Sequence, residues 1–212
     1  MLPLAAPGEQ FGAVSGKFNC PGIGNAMRCA QSIESTLPAS VVRRPKPEQL
    51  DITLINGSVY SFVDVHQPDS WQETDFDQPT QHAEWVVALG LINSRRYAVI
   101  GRFYYEGMSY GLLDRKTGLF SAICGYPLFS PDRRWLVCAD TTTENAALQI
   151  LALDGTGSPT IVFDALPTHW GVDDVSWASP TRLTYSRVTY DIAKILKERR
   201  ELVYENGAWR SR

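Results

Sequence analysis

Three stretches of the chain repeat the same order of features, and this repeat restricts the fold more than any other property of the sequence. Each stretch begins with an apolar run, continues through a polar turn that contains serine and arginine, and ends in an alternating run with aromatic residues. Tyr97, Trp135 and Leu183 occupy equivalent places and are 38 and 48 residues apart. Strand units repeated at about 40 residues are typical of arrays of small antiparallel sheets. The sequence therefore predicts a mainly β protein.

Short turn motifs separate the strand-like runs. Asn56-Gly57 lies between two alternating runs and predicts a β-hairpin with a type I′ turn. Asn206-Gly207 predicts a second hairpin, and Asp114 opens an Asp-x-x-x-Gly turn between two further runs. These turns fix where the chain reverses direction.

The segment FSPDRRWLVCA, Phe129 to Ala139, has a Ser-Pro-Asp turn before an aromatic strand, and we expect the Asp132 side chain to accept hydrogen bonds from backbone N–H groups of this turn. It resembles the corner between the first two strands of blades in TolB-like and WD-type β-propellers. The likeness is good over residues 125–164, partial over 85–124 and loose over 169–212, and Arg133 stands where those families have glycine. The resemblance implies a propeller-like array of antiparallel blades, and a β-sandwich is the alternative.

The beginning of the chain differs in character from the rest. Asn25 can cap a short helix that Pro38 ends. We divide the chain into an N-terminal extension with this helix, residues 1–49, and a β-rich propeller-like domain, residues 50–212. The segment CPGIGNAMRCAQSIE in the extension is similar to the N-terminal part of uncharacterised secreted bacterial proteins. Residues 194–203, KILKERRELV, have partly helical spacing, and we consider a second short helix there.

The four cysteines form two local pairs in the sequence. We expect disulfides between Cys20 and Cys29 and between Cys124 and Cys138, although four cysteines allow three connectivities and four buried thiols are the alternative. No run approaches the roughly 20 apolar residues of a membrane span, and the first residues do not form an intact signal peptide. We expect a periplasmic or secreted protein without a transmembrane segment, whose signal peptide is absent from this sequence.

Charge is unevenly distributed along the chain. The net charge is −3 and the pI about 5.6, so we expect no nucleic-acid partner. Residues 182–212 carry eight bases and four acids, whereas residues 64–84 carry six acids and no lysine or arginine. We interpret both stretches as solvated surface, and an electropositive face that recruits a partner is the alternative.

Two clusters of acidic residues have the side chains that a metal site or an acid–base pair requires. His66 and His82 bracket the acidic tract, whose oxygen-rich side chains suit calcium, but the spacing matches no EF-hand. Asp173-Asp174 can form an acid–base pair, but their context favours a turn that enters the last strand unit. We therefore expect neither a metal nor a cofactor.

The pattern G-x-S-x-G runs from Gly107 to Gly111, with Ser109 at its centre. In hydrolases this pattern lies between a strand and a helix, and the sharp turn presents the serine as a nucleophile. The residues after Ser109 read as a strand, so we expect the glycines to serve a β-hairpin, where glycine adopts positive φ easily. A serine hydrolase that uses Ser109 and His169 is the alternative.

Aromatic residues near this glycine-rich turn are the strongest functional signal. Tyr, Trp and Met bury a large area at low entropic cost, so they are favoured in binding surfaces. We expect an exposed hairpin loop at residues 106–111, and the predicted binding residues are Tyr105, Met108, Ser109, Tyr110 and Trp170. The alternative is that alternate members of this set point into the core.

The hypothesis from sequence is a non-enzymatic exported protein that binds another protein. A periplasmic inhibitor or immunity protein, acting through the exposed hairpin loop, is its concrete form. A structural module of an envelope complex, as TolB-like propellers are, is the further alternative.

Overall fold

The computed structural model describes most of the 212-residue chain, namely residues 26–64, 85–104, 107–140, 147–153, 158–167, 170–190 and 195–212. These residues form one α-helix and fifteen β-strands, which are arranged in four antiparallel sheets. The predicted mainly β class is confirmed. Each of the four sheets is open within these ranges, with a free strand at either end of its order. No helix in the described part of the chain has the length and apolar character needed to span a membrane.

Two compact units divide the described residues, and the boundary lies between Ala122 and Ile123. The first unit holds the helix and two sheets, and the second unit holds the other two sheets. In the first unit, α1 (Ala26–Ser35) precedes the first sheet, which consists of β1 (Val42–Lys46), β2 (Gln49–Thr53) and β3 (Val59–Val63). The second sheet consists of β4 (Trp85–Ile92), β5 (Tyr97–Tyr104), β6 (Gly107–Asp114) and β7 (Leu119–Ile123).

The second unit repeats the same meander of consecutive strands. The third sheet of the chain consists of β8 (Leu128–Phe129), β9 (Trp135–Asp140), β10 (Ala147–Ala152) and β11 (Thr160–Ala165). The fourth sheet consists of β12 (Gly171–Ser179), β13 (Arg182–Tyr190), β14 (Ile195–Glu205) and β15 (Ala208–Ser211). In every sheet the strands are neighbours in chain order, as the turn motifs predict.

The predicted N-terminal helix is confirmed as α1. Its last turn closes through hydrogen bonds from Thr36 N–H to Ile33 O and from Leu37 N–H to Glu34 O, both 3.0 Å long. Pro38 follows directly and cannot continue the helix. The predicted cap, Asn25, lies outside the described residues. Strand β1 lies within the predicted N-terminal extension and pairs with β2, and the domain boundary at residue 49 stays a prediction.

Charged side chains satisfy the outer backbone edge of β4. Val86 N–H donates to Asp64 Oδ1 at 2.8 Å, and Ala88 N–H donates to Glu34 Oε2 at 2.9 Å. The Arg44 guanidinium donates to the Val86 carbonyl oxygen and also to both carboxylate oxygens of Glu34. A buried backbone group without such a partner costs about 1–3 kcal/mol. This network therefore fixes α1, β1 and the end of β3 against the second sheet.

An apolar cluster fills the space between the two sheets of the first unit. Phe120 of β7 packs edge-on against Phe62 of β3, with ring centroids 5.6 Å apart. The other members come from the segment after α1, the first sheet and the second sheet, and include Leu50, Ile52, Val86, Ala88, Ile100 and Leu113.

The core of the second unit is rich in tryptophan. Trp135 of β9 packs against Trp209 of β15, with ring centroids 5.6 Å apart and planes nearly perpendicular. Trp177 contacts the same ring and donates its indole N–H to the Leu128 carbonyl oxygen at 3.0 Å. These contacts join the third and fourth sheets. Trp135 is buried, as are Tyr97 and Leu183, which occupy the equivalent places in the other two repeated stretches.

The two Asn-Gly motifs form different turns. Asn206 and Gly207 both have positive φ, 53° and 80°, and join the paired residues Glu205 and Ala208, as a type I′ turn requires. At Asn56-Gly57 the predicted type I′ turn is wrong, because only Gly57 has positive φ (86°). Gly57 N–H closes a turn onto Leu54 O at 3.1 Å, which is the arrangement of a longer hairpin loop with a glycine bulge.

The prediction of a short helix over residues 194–203 is wrong, because this segment forms most of β14. Strand β14 pairs continuously with β13, from Arg182 opposite Val203 to Tyr190 opposite Ile195. The mixed charges allow either structure, and the long ladder with β13 decides in favour of a strand.

The Ser-Pro-Asp turn has the structure predicted for its aspartate. Asp132 accepts a hydrogen bond from Arg134 N–H at 3.2 Å and another from the Ser130 hydroxyl at 2.7 Å. Arg133 has a φ of 59°, a left-handed conformation that glycine adopts more easily. Glycine at this position in propeller blades would meet the same backbone requirement.

Asp114 opens the predicted turn between β6 and β7 and is fully buried. It accepts hydrogen bonds from Arg96 Nη2 at 2.8 Å and from Lys116 N–H at 2.9 Å. Burial raises the pKa of Asp114, but these hydrogen bonds outweigh it, so the pKa lies below its usual value. A carboxylate with a lowered pKa stabilises the fold above its unfolded-state pKa, and this stabilisation is lost as the pH falls through the folded-state pKa.

The Cys124–Cys138 disulfide is confirmed. It links the segment before β8 to the middle of β9, across 14 residues of sequence, and its Cα atoms are 5.5 Å apart. Cys124 N–H also donates to the sulfur of Cys138 at 3.1 Å. Cys20 lies outside the described residues, so the Cys20–Cys29 disulfide stays a prediction.

Replacing both Cys124 and Cys138 with serine should lower the free energy of unfolding by about 3 kcal/mol, because a loop of this length is no longer closed in the unfolded chain. Urea titration of the two proteins measures the difference, and peptide mapping without reductant verifies the disulfide in the unsubstituted protein. Equal unfolding midpoints would contradict this contribution.

Asp114→Asn should lower the free energy of unfolding by about 3 kcal/mol at pH 7, because it removes the charge that pairs with Arg96. The difference should shrink as the pH falls below the usual carboxyl range, since the native carboxylate, whose pKa is lowered, then becomes protonated. Asp132→Asn, in a similar but exposed turn, is the matched control and should cost about 1 kcal/mol. Urea titrations at several pH values test both, and a pH-independent Asp114→Asn difference would contradict the electrostatic account.

Candidate binding surface

Ser109 lies inside a strand, and the expectation of an exposed loop at residues 106–111 is wrong for residues 107–111, which belong to β6. It is a member of β6 and is paired with Arg102 of β5, and the strand continues through Asp114. A nucleophile elbow requires a helix directly after the serine, and here the chain continues as a strand. His169, the expected partner of Ser109, lies outside the described residues.

Gly111 has a packing role. The expectation that it adopts positive φ is wrong, because the glycines with positive φ in the described part of the chain are Gly57, Gly118 and Gly207. A Cβ at Gly111 would overlap the ring of Phe120, which lies across the strand at this point. The Arg102 guanidinium lies over the same ring, with its carbon 5.2 Å from the ring centroid. The second glycine of the motif therefore makes room for an aromatic ring.

The predicted binding residues of the β5–β6 hairpin differ in exposure. Met108 and Ser109 are half-buried and form ladder pairs with Phe103 and Arg102. The expectation that Tyr110 is exposed at the hairpin tip is wrong, because its side chain is 8% exposed and it is paired with Gly101 inside the sheet. Alternation along β6 places Tyr110 on a buried face of this sheet.

Tyr105, at the end of the β5–β6 hairpin, lies outside the described residues. The last described pair before the turn joins Tyr104 and Gly107. Met108 is thus the predicted binding residue with a described, partly exposed side chain closest to this end. The binding role of the whole set stays a prediction.

Trp170 lies before β12 in the second unit and is half-buried. Its ring stacks on Tyr185 with centroids 6.4 Å apart, and the Arg187 guanidinium lies 5.1 Å from its centroid on a ring face. Cation–π contacts of this kind contribute about 0.5–1 kcal/mol at exposed sites. Because Trp170 is held by both contacts, it presents a rigid surface rather than a free aromatic side chain.

Asp173 and Asp174 lie within β12, at a β-bulge, and not in a turn before the strand as expected. Asp174 has a φ of 51°, which accompanies the extra residue of the bulge. Lys197 of β14 contacts Asp173 at 2.5 Å and Asp174 at 3.8 Å, and Ser186 donates to Asp174 at 3.1 Å. The two carboxylates are therefore joined to the neighbouring strands as ion-pair and hydrogen-bond partners.

The β13–β14 hairpin exposes residues that the sequence did not single out. The residues from Ile195 to Arg199 are exposed on both faces of β14, and two of them are large and apolar. The expected helix over residues 194–203 does not predict this exposed strand. The bases and acids of the segment are compatible with an exposed strand, and this charge pattern is the sequence signal that could have identified it.

All three histidines, including the pair that brackets the acidic tract, lie outside the described residues. Within the ranges that the structure describes, no group of three or more His, Cys, Asp or Glu side chains is arranged to hold a metal ion. The expectations about a metal and about the acidic tract stay predictions.

No protein-family model matches this chain, and no curated protein matches it either. The resemblance to TolB-like and WD-type blades therefore stays a prediction based on the Ser-Pro-Asp segment.

Gly111→Ala should lower the free energy of unfolding by about 1–3 kcal/mol, because the added methyl group displaces the Phe120 ring. In a Phe120→Ala background the same substitution should cost almost nothing, and a double-mutant cycle measured by urea unfolding reports this coupling.

Gly101→Ala is the matched control for that cycle. Its Cβ would meet Leu89 Cδ1 at 2.7 Å instead of Phe120, so its cost should be the same in both backgrounds. An equal cost of Gly111→Ala with and without Phe120 would contradict the packing role of this glycine.

Proposed function

We propose that this chain is a non-enzymatic protein-binding module that works in an oxidising compartment, the periplasm or the cell exterior, and contacts its partner through the ends of its β-hairpins. The observation that carries the proposal is the β13–β14 hairpin, which extends past β15 with exposed side chains on both faces. Exposed strands held by a rigid sheet are a common basis for protein recognition.

The position of Ser109 supports a binding role over hydrolysis. Its ladder pair with Arg102 and the uninterrupted strand after it differ from the strand–turn–helix context of a nucleophilic serine. The Phe120 ring explains Gly111, so the packing of this glycine supports a structural role for the second glycine of the G-x-S-x-G pattern.

The Cys124–Cys138 disulfide supports the proposed compartment, because structural disulfides persist mainly outside the cytosol. The three consecutive four-stranded meanders support a propeller-like order of the sheets. On this basis we propose an inhibitor or immunity protein as the concrete role, in which a hairpin end occupies a surface of another protein.

Affinity capture from the envelope and secreted fractions of the host cell tests the proposal. The immobilised chain should recover one partner in a fixed ratio, and Met108→Asp at the β5–β6 end should reduce this recovery by about tenfold, as expected for a charge placed in an apolar contact.

Leu119→Asp is the matched control, since Leu119 is exposed at the opposite end of the same sheet. It should leave recovery unchanged. Capture of no specific partner, or covalent labelling of Ser109 by a fluorophosphonate, would overturn the proposed function, and recovery of a standing assembly of envelope proteins would favour the structural-module alternative.

A further inference from the structure

Part of β14 has a strand on one side only. β15 pairs with β14 from Leu202 to Glu205, and Glu201 exchanges backbone hydrogen bonds with Arg212. Beyond this point, residues 195–200 pair with β13, and no described strand lies along their other side. We refer to residues 195–200 as the open edge.

The backbone of the open edge presents a regular row of hydrogen-bonding groups. Along an antiparallel strand, alternate residues direct their N–H and C=O groups to opposite sides. Glu201 directs both groups towards the β15 side, whereas Tyr204 N–H donates to Thr181 O on the other side at 2.9 Å. By the same alternation, Ile195, Lys197 and Arg199 direct their N–H and C=O groups outward.

The side chains of the open edge are accessible on both faces. Ile195 is 63% exposed and Leu196 is 46% exposed, and these neighbours point to opposite faces of the strand. The next three residues are also exposed, so this part of β14 lies clear of the core of its unit. An added strand would cover apolar side chains on both faces.

The charges of the open edge favour an acidic occupant. The segment carries three bases and one acid. Lys197 is paired with Asp173, and Arg200 with Glu198 at 2.8 Å. Arg199 contacts the Thr184 hydroxyl at 3.3 Å and has no carboxylate within ion-pair distance among the described residues. A carboxylate on an incoming strand beside Arg199 would complete this contact.

The same charges disfavour a second copy of the chain. Two open edges paired antiparallel about Glu198 place Lys197 opposite Arg199, and a shift of register brings Lys197 opposite Lys197. Like charges directly opposite each other destabilise a strand pair.

The edge of the third sheet is less suited to strand addition. β11 has a register shift between its pairs with Ile150 and Leu151, which leaves an extra residue at Val162. Bulges of this kind twist an edge strand away from a regular partner. The regular ladder of β14 offers the straighter template.

We propose that the open edge of β14 binds an extended segment of a partner protein by strand addition, and that this segment carries acidic residues at alternate positions, one beside Arg199, with apolar residues beside Ile195 and Leu196. The inference rests on the proposed protein-binding function and assigns it a surface and a class of ligand. Main-chain hydrogen bonds supply the affinity of such an added strand, and the alternating side chains supply the specificity.

The probe is a fluorescent peptide with glutamates at two alternate positions, to lie beside Lys197 and Arg199, and valines at the positions beside Ile195 and Leu196. Fluorescence anisotropy with the whole chain measures binding. Arg199→Glu should weaken binding of this peptide by about tenfold or more and should favour a peptide with lysine in place of glutamate. Arg210→Glu is the matched control, because Arg210 is an exposed base on β15, away from the open edge, and should change binding by less than about twofold.

Arg199→Pro compared with Arg199→Ala separates strand addition from simple charge attraction, because both substitutions remove the guanidinium and only the proline also removes the outward N–H. The proline leaves the hydrogen bonds to β13 intact, so the chain should remain folded by circular dichroism while its peptide binding is weaker than that of Arg199→Ala. Equal losses for Arg199→Glu and Arg210→Glu, or equal peptide binding by Arg199→Pro and Arg199→Ala, would overturn the proposal.

Two further outcomes distinguish the proposals from each other. Partner capture that persists in Arg199→Glu, without peptide binding by the unsubstituted chain, would overturn the open-edge proposal and leave the proposed function standing. A dimer in sedimentation that Arg199→Pro dissociates would overturn the choice of an acidic segment, because the occupant would then be a second copy.

Discussion

The structure depends on how each sheet satisfies the backbone groups of its edge strands. Four open sheets leave several edges, and every N–H and C=O group along an edge needs a partner in the protein or in water. At β4 the partners are ionised side chains, because Glu34 and Asp64 accept from the edge amides and Arg44 donates to the edge carbonyl. This makes one edge a buried junction between the helix and two sheets.

Two other edges differ from β4 and from each other in the regularity of their ladders. β11 carries a bulge, which interrupts a regular template, whereas β14 keeps a straight ladder with β13 and lacks a described neighbour beyond Glu201. Exposed charges along β14 oppose pairing with an identical strand, as in many natural edge strands. The same charges favour the acidic segment that we propose as the ligand, so in this proposal protection from self-association and selection of a partner have one physical origin.

Features that depend on residues close together in the sequence were predicted correctly in three cases. The turn at Asn206-Gly207, the hydrogen bonds of Asp132 and the Cys124–Cys138 disulfide depend on residues close together in the sequence. Tyr110 was predicted incorrectly, because its burial depends on the sheet around it and not on its neighbours in the chain. The same holds for residues 194–203, where pairing with β13 overrides the helical spacing.

The mainly β class, several of the turns and one disulfide follow from the sequence alone, since alternation, turn residues and cysteine spacing act over a few residues. The role of each glycine and each charge depends on the tertiary structure. Gly111 makes room for a ring from another strand. Glu34 accepts a hydrogen bond from an edge amide 54 residues away, and Arg199 lies on an edge that β15 is too short to cover. These roles arise from packing between segments that are distant in sequence, and the spacing of residues along the chain does not predict which segments come into contact.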